Sequence, residues 1–462
     1  MTLIKSISGI RGTIGSFPGE NLTPIDIVKF TSAFGIWSAK QSHNENKKIV
    51  IGRDARPSGE MVESLVTGTL IGLGFDVVTL GMATTPTVEI AVEEENADGG
   101  IIITASHNPK EYNALKLLNS KGEFLNAEEG EEVLIIAENK EMEYEDVNNL
   151  GTLTGKDYLE EHIRQILSLS LVDKKAISRA KFKIVVDGIN SIGGIAIPKL
   201  LKALGVKQVV ELNCDPNGDF AHNPEPLPEN LKEMTNAVLK NKAHCGIVVD
   251  PDVDRLAFVD ENGNMFGEEY TLVAVADYVL QNQKGNTVSN LSSTKALREL
   301  TRDHGAQYAA SAVGEVNVIK KMKENKSVIG GEGNGGVIYP ELHYGRDALV
   351  GVGLFLTFLA KSGLSCSGLR DKYPKYHISK NKIQLTPDIE IDKLLEKLKN
   401  DYSDYYINDE DGVKIEFESG WVHLRKSNTE PIIRVYSEGN SKEVAEELAY
   451  GVMEDIKEMT DK

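Results

Sequence analysis

Cysteine is scarce: the 462 residues hold three, Cys214, Cys245 and Cys366, far apart and with no C-x-x-C pair among them. An odd, scattered set of thiols gives no disulfide framework and fits reduced, buried side chains in a cytoplasmic protein. Long apolar runs are also lacking. The longest nearly apolar stretch, Ala348 to Ala360, is too short to cross a bilayer, and the opening MTLIKSISGIRG has no signal-peptide core. Positive charge is in deficit, 51 Lys and Arg against 70 Asp and Glu, a net charge of -19. That balance argues against nucleic acid and against an anionic membrane as partners, since both require a basic face. An anionic substrate would need its Arg and Lys gathered locally against this acidic background.

What the chain does have is a repeated order. The stretch Gly99 to Lys116, GGIIITASHNPKEYNALK, sets three isoleucines ahead of a small polar loop, which places the Ser106 hydroxyl at the end of a buried strand. Alone, a Ser-His pair in a loop reads as turn chemistry. Before it, Ile49 to Gly52 and Asp76 to Leu80 read as strands, with helices from about Gly59 and about Thr87. The same order recurs at 182–250 and, more weakly, at 287–329. Each copy feeds its last strand into a special loop: TASHNP, then DPDVDR, then GGEGNGG. Such repeats predict α/β units with mixed, mainly parallel sheets, whose loops lie beyond the strand ends around a central cleft. After about Leu369 the pattern changes to an α+β module of strands, a turn at Ser419-Gly420 and a terminal helix. The expected domains are 1–150, 151–257, 258–369 and 370–462.

Three loops carry chemical signals. Asp250, Asp252 and Asp254 set three carboxylates at alternate positions just past a strand, a donor set for a hard cation such as Mg²⁺. A calcium loop of the EF-hand kind is excluded, because Arg255 stands where that loop needs glycine. A solvated acidic turn is disfavoured, because three like charges this close repel unless a cation lies among them. The run Arg425-Lys426-Ser427-Asn428-Thr429-Glu430-Pro431 has the composition of an anion cradle, or of an ordinary hairpin loop. In Gly330 to Gly336, Glu332 and Asn334 are candidates to hydrogen-bond sugar hydroxyls, and the loop lacks the G-x-G-x-x-G spacing of a dinucleotide site.

Together, and in this order, the serine loop, the triple-Asp loop, the glycine loop and the terminal cradle resemble the α-D-phosphohexomutase superfamily, from GIRG at 9–12 to SNTEP at 427–431. The resemblance implies that Ser106 is a phosphoserine and that Asp250, Asp252 and Asp254 hold Mg²⁺ together with an oxygen of that phosphoserine. It implies that Arg11 and Arg255 flank the phosphate, and that His107 and Lys116 lie near the proton-transfer position. Arg425, Ser427, Asn428 and Thr429 would clamp the phosphate that stays on the sugar. Arg53, Asp54 and Arg56 belong to the same pattern, with a structural ion-pair role expected. The partners implied are small-molecule sugar phosphates, with a hexose 1,6-bisphosphate as activator and intermediate, and the chain is expected to be a monomer or homodimer.

The sugar loop departs from the superfamily's usual G-E-M-S-G-H or G-E-Q-S-G-H: Asn334 replaces the serine and Gly336 the histidine. The form GEGNGG, with Ala312-Val313-Gly314-Glu315, resembles a glucosamine-mutase-like branch. The leading expectation is therefore a phosphoglucosamine mutase, with a glucose or mannose phosphomutase as the alternative. A phosphatase using Ser106 and an inactive sugar-phosphate binder are more distant readings.

Overall fold

The computed structural model describes residues 2–6, 9–42, 47–139, 142–384, 390–426 and 432–460. The chain forms two bodies, Met1–Asn282 with Asn334–Arg370, and Gln283–Gly333 with Asp371–Lys462. In the first body a sheet is built from β1 (Ile4–Ser6), β2 (Gly9–Thr13), β3 (Lys48–Arg53), β4 (Asp76–Met82), β5 (Gly99–Ile103), β6 (Tyr112–Leu118) and β7 (Leu153–Gly155), in the order β1-β2-β6-β5-β3-β4-β7. Strands β5, β3, β4 and β7 run parallel, whereas β6, β2 and β1 are antiparallel additions. The reversal at β6 follows from loop length. Residues 104–111 between β5 and β6 are too few for a crossover, which takes a dozen or more, so the chain must turn back beside β5.

The second repeat gives β8 (Lys183–Asp187), β9 (Gln208–Leu212), β10 (Cys245–Val249) and β11 (Leu256–Asp260), in the order β11-β10-β8-β9. Here β10 pairs parallel with β8 and antiparallel with β11, so the DPDVDR segment becomes the turn between two fully buried strands. Two helices of the expected domain 258–369 also pack in this body, Glu268–Asn282 and Ala348–Ser362. Phe355 stacks on Phe258 at 3.7 Å between centroids and meets Phe266 edge-on at 5.2 Å. The apolar run at Ala348 is thus a buried helix of a globular core, hydrophobic all round because protein surrounds it. Among the described residues no helix is long and apolar enough to cross a membrane.

A buried polar cluster fixes the start of that helix. Asp347 accepts from the backbone N-H groups of Leu349 (2.7 Å) and Val350 (3.2 Å) through one oxygen, and from His162 Nε2 (2.8 Å) and His343 Nε2 (3.3 Å) through the other. Thr87 lies 2.9 Å from His162 Nδ1, and Glu89 lies 3.4 Å from His343 Nδ1. Both ring nitrogens of His162 therefore have hydrogen-bond partners, as a buried imidazole requires.

In the second body, β12 (Asn286–Asn290), β13 (Tyr308–Ser311) and β14 (Ser327–Glu332) run parallel, and β15 (Gly336–Ile338) belongs to the first body. The C-terminal sheet comprises β16 (His377–Gln384), β17 (Tyr406–Asn408), β18 (Val413–Phe417), β19 (Gly420–Lys426) and β20 (Ile432–Gly439), antiparallel throughout in the order β16-β20-β19-β18-β17. Lys414 donates to the Leu291 carbonyl (2.7 Å), and Glu438 accepts from Lys295 N-H (3.1 Å) and Trp421 Nε1 (2.9 Å). These buried bonds tie the C-terminal sheet to the loop after β12. The glycine segment differs from the expected loop: Gly330, Gly331 and Glu332 extend β14, because Val288 and Ser289 of β12 pair with Gly330 and Gly331. Removing the stacked ring by Phe355→Ala should cost the first body about 3–5 kcal/mol, read as a lower midpoint in denaturant. A loss below about 1 kcal/mol would mean that the ring is not part of the core.

Candidate active site

Ser106 lies at the carboxyl end of β5 with φ +48°, a left-handed conformation that is uncommon for a residue with a side chain and is held here by its surroundings. Arg56 supplies much of that hold. Its buried guanidinium pairs with Asp54 (2.9 Å) and donates to the carbonyls of Ser106, Asn108 (2.7 Å), Pro109 (2.6 Å) and Tyr112 (3.1 Å). Thr104 donates to Asp54 (2.6 Å) and accepts from Ser106 N-H (2.9 Å). The structural ion pair expected for Asp54 and Arg56 is present, and its work is to shape the serine loop.

The Ser106 hydroxyl donates to Asp250 Oδ2 at 2.8 Å, which brings the ends of the first two repeats to one point. Asp250, Asp252 and Asp254 are all fully buried, and a donor oxygen of each lies within 4.8 Å of the others. The second oxygen of Asp250 accepts from the N-H groups of Asp254 (3.2 Å) and Arg255 (3.1 Å). Asp252 Oδ2 accepts from Lys116 Nζ and Thr85 Oγ1, both at 2.6 Å, and Asp254 Oδ2 from Arg346 Nη2, also at 2.6 Å. Asp252 Oδ1 and Asp254 Oδ1 are buried with no hydrogen-bond partner. Two orphaned carboxylate oxygens beside a serine hydroxyl suit a hard divalent cation, because burying them unpaired is costly. Val253, between the last two aspartates, takes φ +64°, which for a β-branched residue is strained; its N-H donates to Asp250 O (3.1 Å), and its carbonyl accepts from Ala348 N-H (3.2 Å).

The electrostatics point the same way. Burial, then Asp254 and Asp252, push Asp250 well above the usual carboxylate range. Burial acts on Asp252 as well, but the Lys116 charge and hydrogen bond outweigh it and hold that carboxyl low. Lys116 is buried and so would fall, yet Asp252 and Asp254 raise it, which keeps it an ammonium. His107 Nδ1 lies 3.4 Å from Ser106 Oγ; burial and the charges of Arg255 and Arg11 hold its pKa well below the ordinary value. Arg11 donates to Asn108 Oδ1 (2.7 Å), while Arg255 reaches Glu225 through Nη1 (3.7 Å) and Asp254 through Nε (3.9 Å), an atom that makes no hydrogen bond.

The first body thus gathers Ser106, His107, Lys116, Arg11, Arg255 and the three aspartates. Asn334 is also in this body, where it accepts from Gly336 N-H (3.2 Å). Glu332 lies in the second body, buried, and accepts from Asn290 Nδ2 (2.7 Å) and Gly314 N-H (3.1 Å). Arg425 is half-buried on β19 with an unpartnered Nε, whereas Ser427, Asn428 and Thr429 lie outside the described residues. Thr85 and Arg346, both in contact with the triple-Asp loop, were not among the expected site residues. Neither sits in a loop with a chemical pattern of its own; only the fold brings them in.

The family descriptions Phosphoglucomutase/phosphomannomutase, alpha/beta/alpha domains I, II and III match residues 3–144, 158–263 and 267–376, and the family's C-terminal domain matches residues 383–454. The chain belongs to the phosphoglucomutase/phosphomannomutase family of the α-D-phosphohexomutase superfamily, whose members are intramolecular phosphotransferases. A Thermococcus kodakarensis protein named Phosphoglucomutase/phosphomannomutase is 38% identical over 446 residues, 95% of each chain. A Sulfurisphaera tokodaii protein named Phosphoglucosamine/phosphogalactosamine mutase is 32% identical over 448 residues, 95% of this chain and 96% of its own. Among solved structures, a Phosphoglucomutase/phosphomannomutase family protein from Burkholderia thailandensis superposes with a TM-score of 0.83 at 26% identity, covering 97% of this chain and 96% of that one.

One titration in the second body is predicted from its surroundings. His423 on β19 donates from Nε2 to the Asp411 carbonyl (2.7 Å), so its Nδ1 accepts from Ser292 (2.9 Å), and burial depresses its pKa to about 4. Between pH 6.5 and 4 the unfolded chain binds the proton that the folded chain refuses. Stability should therefore be complete above 6.5 and fall by about 3 kcal/mol on the way to pH 4. Proton NMR of the ring should show a midpoint near 4, and a midpoint at 6 or above would contradict the buried, neutral assignment.

Proposed function

We propose that the chain interconverts the 6-phosphate and 1-phosphate of a hexosamine, glucosamine first, by way of a phosphoserine at Ser106 and a sugar 1,6-bisphosphate. The observation that carries this reading is the Ser106 hydroxyl hydrogen-bonded to Asp250 within a turn of three buried aspartates. The sugar O1 oxygen attacks the phosphorus on Ser106; the bond from phosphorus to Oγ breaks as the bond to O1 forms, and the O1 proton is lost to a base. Oγ takes up a proton as it leaves; the bisphosphate then presents its 6-phosphoryl group to Ser106, where the bond from phosphorus to Oγ forms as the bond to O6 breaks, Oγ gives up its proton, O6 gains one and the 1-phosphate is left.

Asp250, Asp252 and Asp254, with an oxygen of the phosphoserine, would hold Mg²⁺, which supplies charge neutralisation at the transferring phosphoryl group. Arg11 and Arg255 flank that group with cations that hydrogen-bond its oxygens. His107, kept neutral, is placed to accept a proton at Nδ1 from Ser106 Oγ, and Lys116, kept an ammonium, is the nearby donor. Glu332 and Asn334 read the sugar, and Arg425 with Ser427, Asn428 and Thr429 clamps the standing phosphate. The boundaries 1–150, 151–257, 258–369 and 370–462 divide these roles among four domains. Three free thiols, two of them buried, support a reducing, cytoplasmic setting.

The glucosamine preference rests on the GEGNGG and AVGE segments, and relatives carrying phosphoglucosamine mutase names support it. A glucose or mannose phosphomutase is the second reading, favoured by the relative at 38% identity. Phosphorus NMR with the 1-phosphates of glucosamine, glucose and mannose, Mg²⁺ and a trace of hexose 1,6-bisphosphate separates them. Fastest formation of glucosamine 6-phosphate is expected; preference for glucose or mannose selects the second reading, and inorganic phosphate from all three overturns the mutase itself. Ser106→Ala should abolish turnover while sugar phosphate still binds, and turnover like that of the parent would remove Ser106 from the chemistry.

A further inference from the structure

Gly336 and Arg346 are built around one another. Strand β15 runs antiparallel to the segment before the helix Ala348–Ser362, with Ile338 opposite Arg346 and Asp347 N-H donating to Val337 O at 2.8 Å. Two residues back on that strand is Gly336, on the same face as the residue opposite Arg346. A Cβ at Gly336 would lie 2.3 Å from Arg346 Cδ, closer than real Cβ atoms come to another heavy atom, and a tight 3.0 Å from its Cγ. The arginine stem therefore runs through the volume that a side chain at 336 would fill. Its far end, almost buried, meets the fully buried Asp254 at 2.6 Å. Asp254 is one of the two aspartates with an orphaned oxygen, and Arg346 occupies the other oxygen of the same carboxylate. The Arg346 charge also reaches Lys116 and His107.

We propose that Arg346 is a resident cation of the triple-Asp loop, seated against Asp254 through the space that Gly336 leaves, and that it holds down the loop's affinity for a divalent metal ion. Without it, three buried carboxylates answered by Lys116 at 2.6 Å and by Arg255 at 3.9 Å would bind such an ion more tightly. A second fixed positive charge on Asp254 repels an incoming cation strongly, because little water lies between them to screen it. It also keeps Asp254 Oδ2 occupied, so that Oδ1 is the oxygen left to face a metal. Arg346 is a positioning residue, acting on the metal through Asp254. The inference rests on the reading of the three aspartates as a metal site.

The test is Mn²⁺ binding followed by electron paramagnetic resonance, without sugar phosphate, in a Ser106→Ala background that fixes the charge at the serine. Arg346→Gln should bind Mn²⁺ about fivefold more tightly or better, since a neutral side chain of similar shape removes the repulsion. Gly336→Ala, which keeps the arginine but displaces it, should move affinity the same way, and the double variant should bind no more tightly than Arg346→Gln alone. Arg346→Lys, which keeps the charge, should stay near the parent. A general loss of structure would weaken binding, so tightening separates the two. Unchanged or weaker binding in Arg346→Gln, with a parent that binds Mn²⁺, overturns the proposal alone; if Arg346→Gln does not fold, Gly336→Ala decides by the same criterion. A parent that binds no Mn²⁺ overturns the metal reading as well.

Discussion

Three aspartates with no solvent exposure share one six-residue turn, and much of the first body answers the charge they create. Like charges at that spacing repel strongly once water is excluded. The chain meets the repulsion with a lysine from β6, a threonine from the start of the helix Thr85–Glu94, an arginine from beside β15 and the N-H groups of the turn itself. Two carboxylate oxygens remain unanswered beside the Ser106 hydroxyl. An anionic phosphoryl group and a divalent cation are the pair that would complete the balance.

The same constraint accounts for where strained backbone occurs. Ser106 and Val253 both take left-handed conformations, one on each side of the Ser106 to Asp250 hydrogen bond. Neither is a glycine, so each is held by its surroundings: Arg56 grips the carbonyls of the serine loop, and Ala348 N-H grips the Val253 carbonyl. Strain of this kind costs of order 1–3 kcal/mol per residue and persists only where the surrounding structure fixes it. The rigid helix behind Ala348, stacked through Phe355, thus supports the aspartate turn as well as the core.

Much of this was legible in the residues themselves. The strands ahead of Ser106 and Asp250 announced themselves as β-branched runs ending in polar loops, and the structure places them at β5 and β10. The turn back after TASHNP, which places Lys116 on β6 beside β5, depends on loop length and pairing rather than on any local pattern. Thr85 and Arg346 are long-range partners of the aspartates, more than ninety positions away along the chain, and periodicity carries no information at that range. The glycine segment misled in the opposite sense. Glycines read as loop, yet Gly330 and Gly331 continue β14 by pairing with β12, and a Cβ at Gly330 would come within 2.5 Å of Met322 Sδ, so that position takes a residue without a side chain.

Transfer of a phosphoryl group onto Ser106 and off it again is read directly by peptide mass spectrometry. The purified chain, incubated with Mg²⁺ and a hexose 1,6-bisphosphate, should acquire one phosphoryl group on the peptide that holds Ser106. Adding the sugar 6-phosphate should discharge it into sugar bisphosphate. A peptide that never carries phosphate, or one that keeps it unchanged when substrate is added, would contradict the account.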